Sequence, residues 1–193
     1  MKQKLLFTLL LIFTIKSFSQ DSKFSLELNY PIPIDKNFIG KNYSGIIDFG
    51  ADYRFAKLNP INIGFSINGG VLINNSNQNN GFQNFKVTSY VINPRIFGEL
   101  DFKPIEKIHP IIGLGYTIII FKASGTNNGF DVSDGSDTLS GVNVNLGLAY
   151  DIIEKLFVKI QYDFIKLGAD NNVTDTTFNT NVNILKIGFG YRL

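Results

Sequence analysis

Apolar and polar residues alternate with a period of two along eight stretches of this chain. The last shows it best: Leu185, Ile187, Phe189, Tyr191 and Leu193 share one phase, and Lys186, Gly188, Gly190 and Arg192 the other. Successive side chains of a strand point to opposite faces, so each stretch predicts a strand with one greasy side and one wet side. The first covers 24–34, with Phe24, Leu26, Leu28, Tyr30 and Ile32 on its apolar side. The second, about 43–55, shows Ile47, Phe49, Ala51, Tyr53 and Phe55; the third shows Ile61, Ile63, Phe65, Ile67 and Val71. The fourth, about 85–100, offers Tyr90, Ile92, Ile96 and Leu100, and the fifth Ile112, Leu114, Tyr116, Ile118 and Ile120. The sixth presents Val142, Val144, Leu146, Leu148 and Tyr150, and the seventh Leu156, Val158, Ile160, Tyr162 and Phe164. Alternation sustained over eight segments predicts an all-β, eight-stranded antiparallel sheet that closes up-and-down.

The connections carry independent information. Links at about 35–42, 74–84, 122–138 and 168–180 are long and rich in Asn, Gly, Ser and Asp, whereas those near 56–60, 101–107 and 151–155 are short. Long and short links alternate as they do in membrane barrels, whose short turns lie on the periplasmic side and whose longer loops lie outside. Both termini are then expected in the periplasm. Tyrosines are expected to form two interfacial girdles, with Tyr53, Tyr150 and Tyr191 at one end and Tyr30, Tyr43 and Tyr90 at the other. Pro94 falls inside the fourth stretch, where a missing N–H predicts a bulge or distortion, and Pro31 and Pro33 mark where regular pairing of the first should stop.

Residues 1–19 stand apart from this pattern. Lys2 and Lys4 precede an apolar run from Leu5 to Ile15, and Ser17-Phe18-Ser19 places small residues at cleavage spacing. That is the layout of a cleaved secretory signal peptide. A membrane-anchoring helix needs roughly twenty apolar residues, which this run does not supply. The remaining residues, 20–193, make one barrel domain. Nothing later in the chain is long and apolar enough for a helical span, so a membrane would be crossed by a closed sheet. The absence of cysteine excludes a lipid-modified cysteine and any disulfide staple. A net charge of +2 without a basic cluster speaks against a nucleic-acid partner.

The polar phase is where function would have to show. It collects Glu27, Asp48, Asp52, Glu99 and Asp163 with Arg54, Arg95, Lys159, Lys186 and Arg192, among Asn29, Asn68, Asn143, Asn145, Gln161 and several glycines. Buried charges persist only when partnered and hydrogen-bonded. An eight-stranded barrel is just wide enough for its own side chains to fill. The expectation is a plugged, charge-paired lumen. The alternative is a narrow polar path gated by exchange of Arg–carboxylate partners. A soluble ligand-holding barrel would turn the polar phase to water, where Lys, Glu and Thr rather than Gly and Asn would dominate.

Enzymatic chemistry finds little support in these residues. His109 is the single histidine, which removes a two-histidine metal site, and there is no cysteine ligand. A Ser–His–acid arrangement would have to use His109, which the register turns inward at the start of the fifth strand. No catalytic residue, cofactor or metal site is therefore assigned. The segment Asp131-Val132-Ser133-Asp134-Gly135-Ser136-Asp137 gathers carboxylates around a glycine but lacks the ligand alternation and bidentate Glu of a calcium loop. It reads as an acidic loop, and the Asn-rich stretch 74–80 as a solvated loop tip.

On strand pattern, loop parity and the ending Ile187-Gly188-Phe189-Gly190-Tyr191-Arg192-Leu193, the chain resembles the small outer-membrane β-barrel proteins of Gram-negative bacteria, of the OmpA/OmpX type. The resemblance spans about 24–193. It implies an exported, monomeric barrel in the outer membrane, surrounded by lipid and lipopolysaccharide. It also implies that Phe189, Tyr191 and Leu193 act as the signal read by the barrel-assembly machinery, although Leu193 stands where the family usually ends in an aromatic residue. Relatives of this type are structural, adhesive or host-interacting surface proteins, so an extracellular partner would bind the loops.

Overall fold

In the computed structural model the described residues are 23–74, 83–101, 104, 106–127, 130–131, 135–168 and 174–193. The strands are β1 (Phe24–Ile34), β2 (Tyr43–Leu58), β3 (Ile61–Asn74), β4 (Gln83–Leu100), β5 (Ile108–Asn127), the two-residue β6 (Phe130–Asp131), β7 (Ser136–Asp151), β8 (Leu156–Leu167) and β9 (Asn181–Arg192). Two short helices, α1 (Phe38–Asn42) and α2 (Thr177–Thr180), sit in the first and last long connections. Setting aside β6, which only extends β5, each strand pairs antiparallel with its chain neighbours, and β9 pairs with β1. The sheet thus closes on itself as an eight-stranded barrel and leaves no edge. The expected leader lies outside the described residues, as do 132–134 of the acidic segment and the Asn-rich stretch beyond Asn74.

The apolar phase faces outward. Leu114, Leu146, Ile112, Phe49, Ile96 and Phe189 are all more than half exposed at mid-strand, an arrangement a water-soluble barrel does not tolerate. Tyr53, Tyr150 and Tyr191 lie outward at the end with the short turns, and Tyr30, Tyr90 and Tyr116 nearer the end with the long connections. Tyr43 departs from the expected girdle: it is buried inside the barrel. The register of β2 against β3 shifts between Gly45 and Ile47, and one extra residue exchanges the faces of everything before it. A second shift falls between Arg54 and Ala56.

Pro94 produces the local distortion rather than a bulge. The β3–β4 register runs through Ile67–Pro94 without a break, and the β4–β5 ladder simply omits Asn93 and Pro94 between the Ile92–Ile118 and Arg95–Gly115 pairs. Pro31 and Pro33 act on one side only. β1 pairs with β9 as far as Ile34, but with β2 only as far as Asn29. The two prolines therefore sit along a seam where β2 asks for no donor from them.

Near the long-loop end the inward face turns apolar. Leu72, Val91, Ile119, Ile165 and Ile184 are buried there, and Ile39 of α1 packs into the same cluster. α1 starts at Asn37, whose side chain accepts from the Gly40 N–H at 2.7 Å, capping the first turn. A side chain at residue 40 would meet the Ile34 carbonyl at 2.3 Å, so glycine is required for α1 to fold back so tightly. Phe38 packs edge-on against Tyr43 and against Phe178 of α2, fastening the two helices together over the mouth.

Candidate functional site

Alternation within the strands carries the polar phase into the lumen, where it forms stacked layers. At the turn end, Arg192 donates to Asp151 at 2.6 Å, and the His109 ring lies 3.0 Å from the other carboxylate oxygen of Asp151. The Arg192 guanidinium lies 4.7 Å from the centre of the Phe157 ring. Alongside, Arg54 grips Glu99 with two bonds of 3.0 and 2.6 Å and donates a third to Ser25. Planar pairing of this kind is both strong and directional. Gly190 makes room for the Phe157 ring, since a Cβ there would lie 2.0 Å from it, and Gly64 does the same for Phe97.

The next layer is a lysine facing two carboxylates. Lys159 donates to Glu27 at 2.7 Å and stands 3.8 Å from Asp52, with all three side chains buried. Above it Asp163 is the hub. It accepts from Arg95 at 3.1 Å, Lys186 at 3.1 Å, Asn145 at 2.6 Å and Gln161 at 3.1 Å. Lys186 also reaches Asp48 at 2.8 Å, and Asp48 accepts further bonds from Asn29 and Asn68. Arg95 completes its set with Ser66 and the Asn68 carbonyl. Around Asp163 and Asp48 each carboxylate faces a cation and further amide donors, the kind of surrounding that buried ions require.

All ten charged residues singled out from sequence, Glu27, Asp48, Asp52, Arg54, Arg95, Glu99, Lys159, Asp163, Lys186 and Arg192, lie in the lumen and join these layers. Asp151 belongs with them, although the sequence pattern places it in a turn. It continues the inward phase of Asn143, Asn145, Gly147 and Ala149, so one more step of the alternation would have found it. The apolar layer and α1 leave no comparable signal in the sequence. Phe189 and Tyr191 project outward at the end of β9 beside the seam with β1. Among the described residues there is no cluster of His, Asp and Glu that could hold a metal ion.

A closed sheet with an apolar exterior and an ion-paired interior defines a membrane-spanning barrel, because lipid demands that every backbone group be satisfied within the protein. The chain belongs to the outer membrane protein β-barrel domain family, whose model matches residues 5–192. Neisserial surface protein A is similar in structure, with a TM-score of 0.61 at 14% identity over 89% of this chain and 97% of that one. Ail, the attachment invasion locus protein of Yersinia pestis, gives 0.55 at 15% identity over 88% and 96%. The outer membrane enzyme PagL gives 0.49 at 11% identity over 88% and 99%. No curated protein sequence matches the chain.

Proposed function

We propose that this protein is a non-enzymatic outer-membrane scaffold with a shut lumen, acting through structure or through surface interactions of its loops. The observation that carries the reading is the filled cross-section: three ion-paired layers lie beneath an apolar one into which Ile39 is packed. On this reading residues 1–19 are removed on export, both termini lie in the periplasm, and the four long connections face outward. The barrel is a monomer among lipid and lipopolysaccharide, delivered by the assembly machinery through Phe189, Tyr191 and Leu193. Any extracellular partner meets the loops. The non-enzymatic reading is supported by His109, whose ring is enclosed at the turn end against Asp151.

A narrow pore for small solutes is the second reading, favoured by one detail. Lys159 has a second carboxylate 3.8 Å away, so partner exchange could loosen its layer. Planar-bilayer recording separates the two. The scaffold reading expects no reproducible openings from the purified barrel. Openings that disappear in Arg95→Leu would overturn it.

A further inference from the structure

Toward the long-loop end the outer wall is not alike all the way round. On the outward phase of β1 and β3 it stays apolar, with Ile32, Ile34, Val71 and Ile73. On β4 and β5 it turns polar: Tyr90 is followed by Thr88 and Lys86, and Ile120 by Lys122 and Ser124. Lys122 stands opposite Thr88 on one side and Ser136 of β7 on the other, and Lys86 stands opposite Ser124. The two lysines are therefore diagonal neighbours on one face, about 7–8 Å apart at the backbone, with hydroxyls around them. Both are exposed. Neither meets a carboxylate among the described residues, whereas Lys166, at the same end of β8, has Asp175 at 3.7 Å. Asp137 lies on the other phase of β7 and turns its carboxylate to the Thr138 N–H. The Lys122 ammonium leans over the Tyr90 ring, 5.9 Å from its centre, on the side of the apolar belt.

The belt next to this patch is notched. Gly69 lies between Phe49 and Ile92 on the outward phase, and a Cβ on it would meet nothing within 4 Å. Leu26, Ala51 and Ile67 complete the apolar rim of a hollow of about 370 Å³. Small-ligand sites typically measure about 300–1,000 Å³. Ile92 joins the two features, since it lies four residues along β4 from Thr88, about 13 Å at the rise of a strand. Two ammonium groups without carboxylate partners, with hydroxyl donors beside them, suit a phosphate monoester, whose oxygens accept from both. A hollow in a wall that faces hydrocarbon suits an acyl chain. A zwitterionic phospholipid would bring its own cation to the lysines, and free phosphate would leave the hollow unused. We propose that this side of the barrel seats one lipopolysaccharide molecule. Lys86 and Lys122, with Thr88 and Ser124, hold a phosphate of its acylated sugar, and one acyl chain runs past Tyr90 into the hollow at Gly69. With the long connections facing outward, as proposed above, the lysines stand level with the outer-leaflet phosphates, and the seat rests on that orientation.

The test titrates the purified, folded barrel in neutral detergent with bisphosphorylated lipid A and counts retained lipid by native mass spectrometry. The phosphate-free form of the same lipid and a zwitterionic phospholipid are the comparison ligands, and both should be retained far less. Replacing both lysines, Lys86→Gln with Lys122→Gln, should weaken retention by about tenfold or more. Lys155→Gln, at the turn end, removes the same kind of charge and should change nothing. Gly69→Leu fills the hollow with both lysines intact and should weaken retention by about threefold or more. All of these substitutions are on the surface, and heat-modifiable gel mobility checks that each variant is folded. Equal retention of the phosphate-free lipid, or wild-type retention by the double lysine variant, overturns the proposal. So does an equal loss in Lys155→Gln, which reports unspecific adsorption to positive charge. No effect of Gly69→Leu reduces the site to a headgroup contact and overturns the seat for the chain. Orientation is read separately, by labelling Lys41→Cys in intact cells with a membrane-impermeant maleimide. Labelling together with failed lipid retention sinks the seat and leaves the outward loops standing, whereas absence of labelling overturns both.

Discussion

Asp163→Asn is the most informative single change in the lumen. Asp163 holds Arg95 and Lys186 at 3.1 Å each, and both cations are buried. The amide keeps the shape and removes the charge. Lys186 then keeps Asp48 alone, Arg95 is left with the neutral Ser66 and Asn68, and the new N–H₂ faces the donors of Asn145 and Gln161. Each lost contact at 3.1 Å corresponds to about 5 kcal/mol of Coulomb energy at an effective dielectric of about 20, before rearrangement. Breaking a buried pair from one side usually costs about 3–5 kcal/mol, and we expect a loss in that range. Urea unfolding of the barrel in lipid vesicles, followed by tyrosine fluorescence or heat-modifiable gel mobility, reads it. With an m-value of about 2 kcal/mol per M, the midpoint should fall by about 2 M. Adding Lys186→Met removes the surplus cation and should recover at least about 1 kcal/mol, because the two sites are directly coupled. A midpoint shift below about 0.3 M for Asp163→Asn would mean that outside water solvates these charges, and the filled-lumen account would be wrong.

Other changes probe the exterior, the glycine slots and the cap. Leu114→Arg, on the exposed belt at mid-strand, should cost about 2–4 kcal/mol in the same titration, whereas Tyr150→Arg near the turn end should cost about 0–1 kcal/mol. Gly190→Ala drives a methyl into the Phe157 ring and should cost about 1–3 kcal/mol. Gly69→Ala, where an added Cβ meets nothing within 4 Å, should stay within about 0.5 kcal/mol of wild type. Ile39→Asp puts a charge into the apolar layer and should expel α1. Proteolytic nicking within 35–42 should rise at least about tenfold, while the barrel's unfolding free energy changes by less than about 1 kcal/mol.

What the sequence revealed depended on whether the two strand faces differ in polarity. Along β9, from Lys186 to Arg192, they differ at every step, and both faces and the inward charges follow directly. Toward the long-loop end the contrast vanishes. Tyr90-Val91-Ile92, Ile118-Ile119-Ile120 and Phe164-Ile165 are apolar on both phases, so the pattern gives no sign that one side enters a packed interior. The two bulges of β2 are equally silent, because nothing in Gly45-Ile46-Ile47 announces an extra residue, and Tyr43 was assigned to the wrong face for that reason. α1 has five residues, too few for a helical period to register. The ten lumen charges were legible as a set, but their pairing was not, since contacts across the barrel join strands far apart in sequence.

That last property bears on how the barrel comes together. Lys159 bonds to a partner 132 residues earlier in the chain, and Lys186 to one 138 residues earlier. These bonds cross from the last strands to the first, the same strands that meet at the β1–β9 seam. A sheet assembled strand by strand would leave Lys159, Glu27 and Asp48 without their counter-ions until its two ends met, and Lys186 with Asp163 alone. In a hydrocarbon surround such an open intermediate is strongly disfavoured. Insertion and closure are therefore expected to proceed as one event, with charge neutrality across the seam serving as the criterion of a completed barrel.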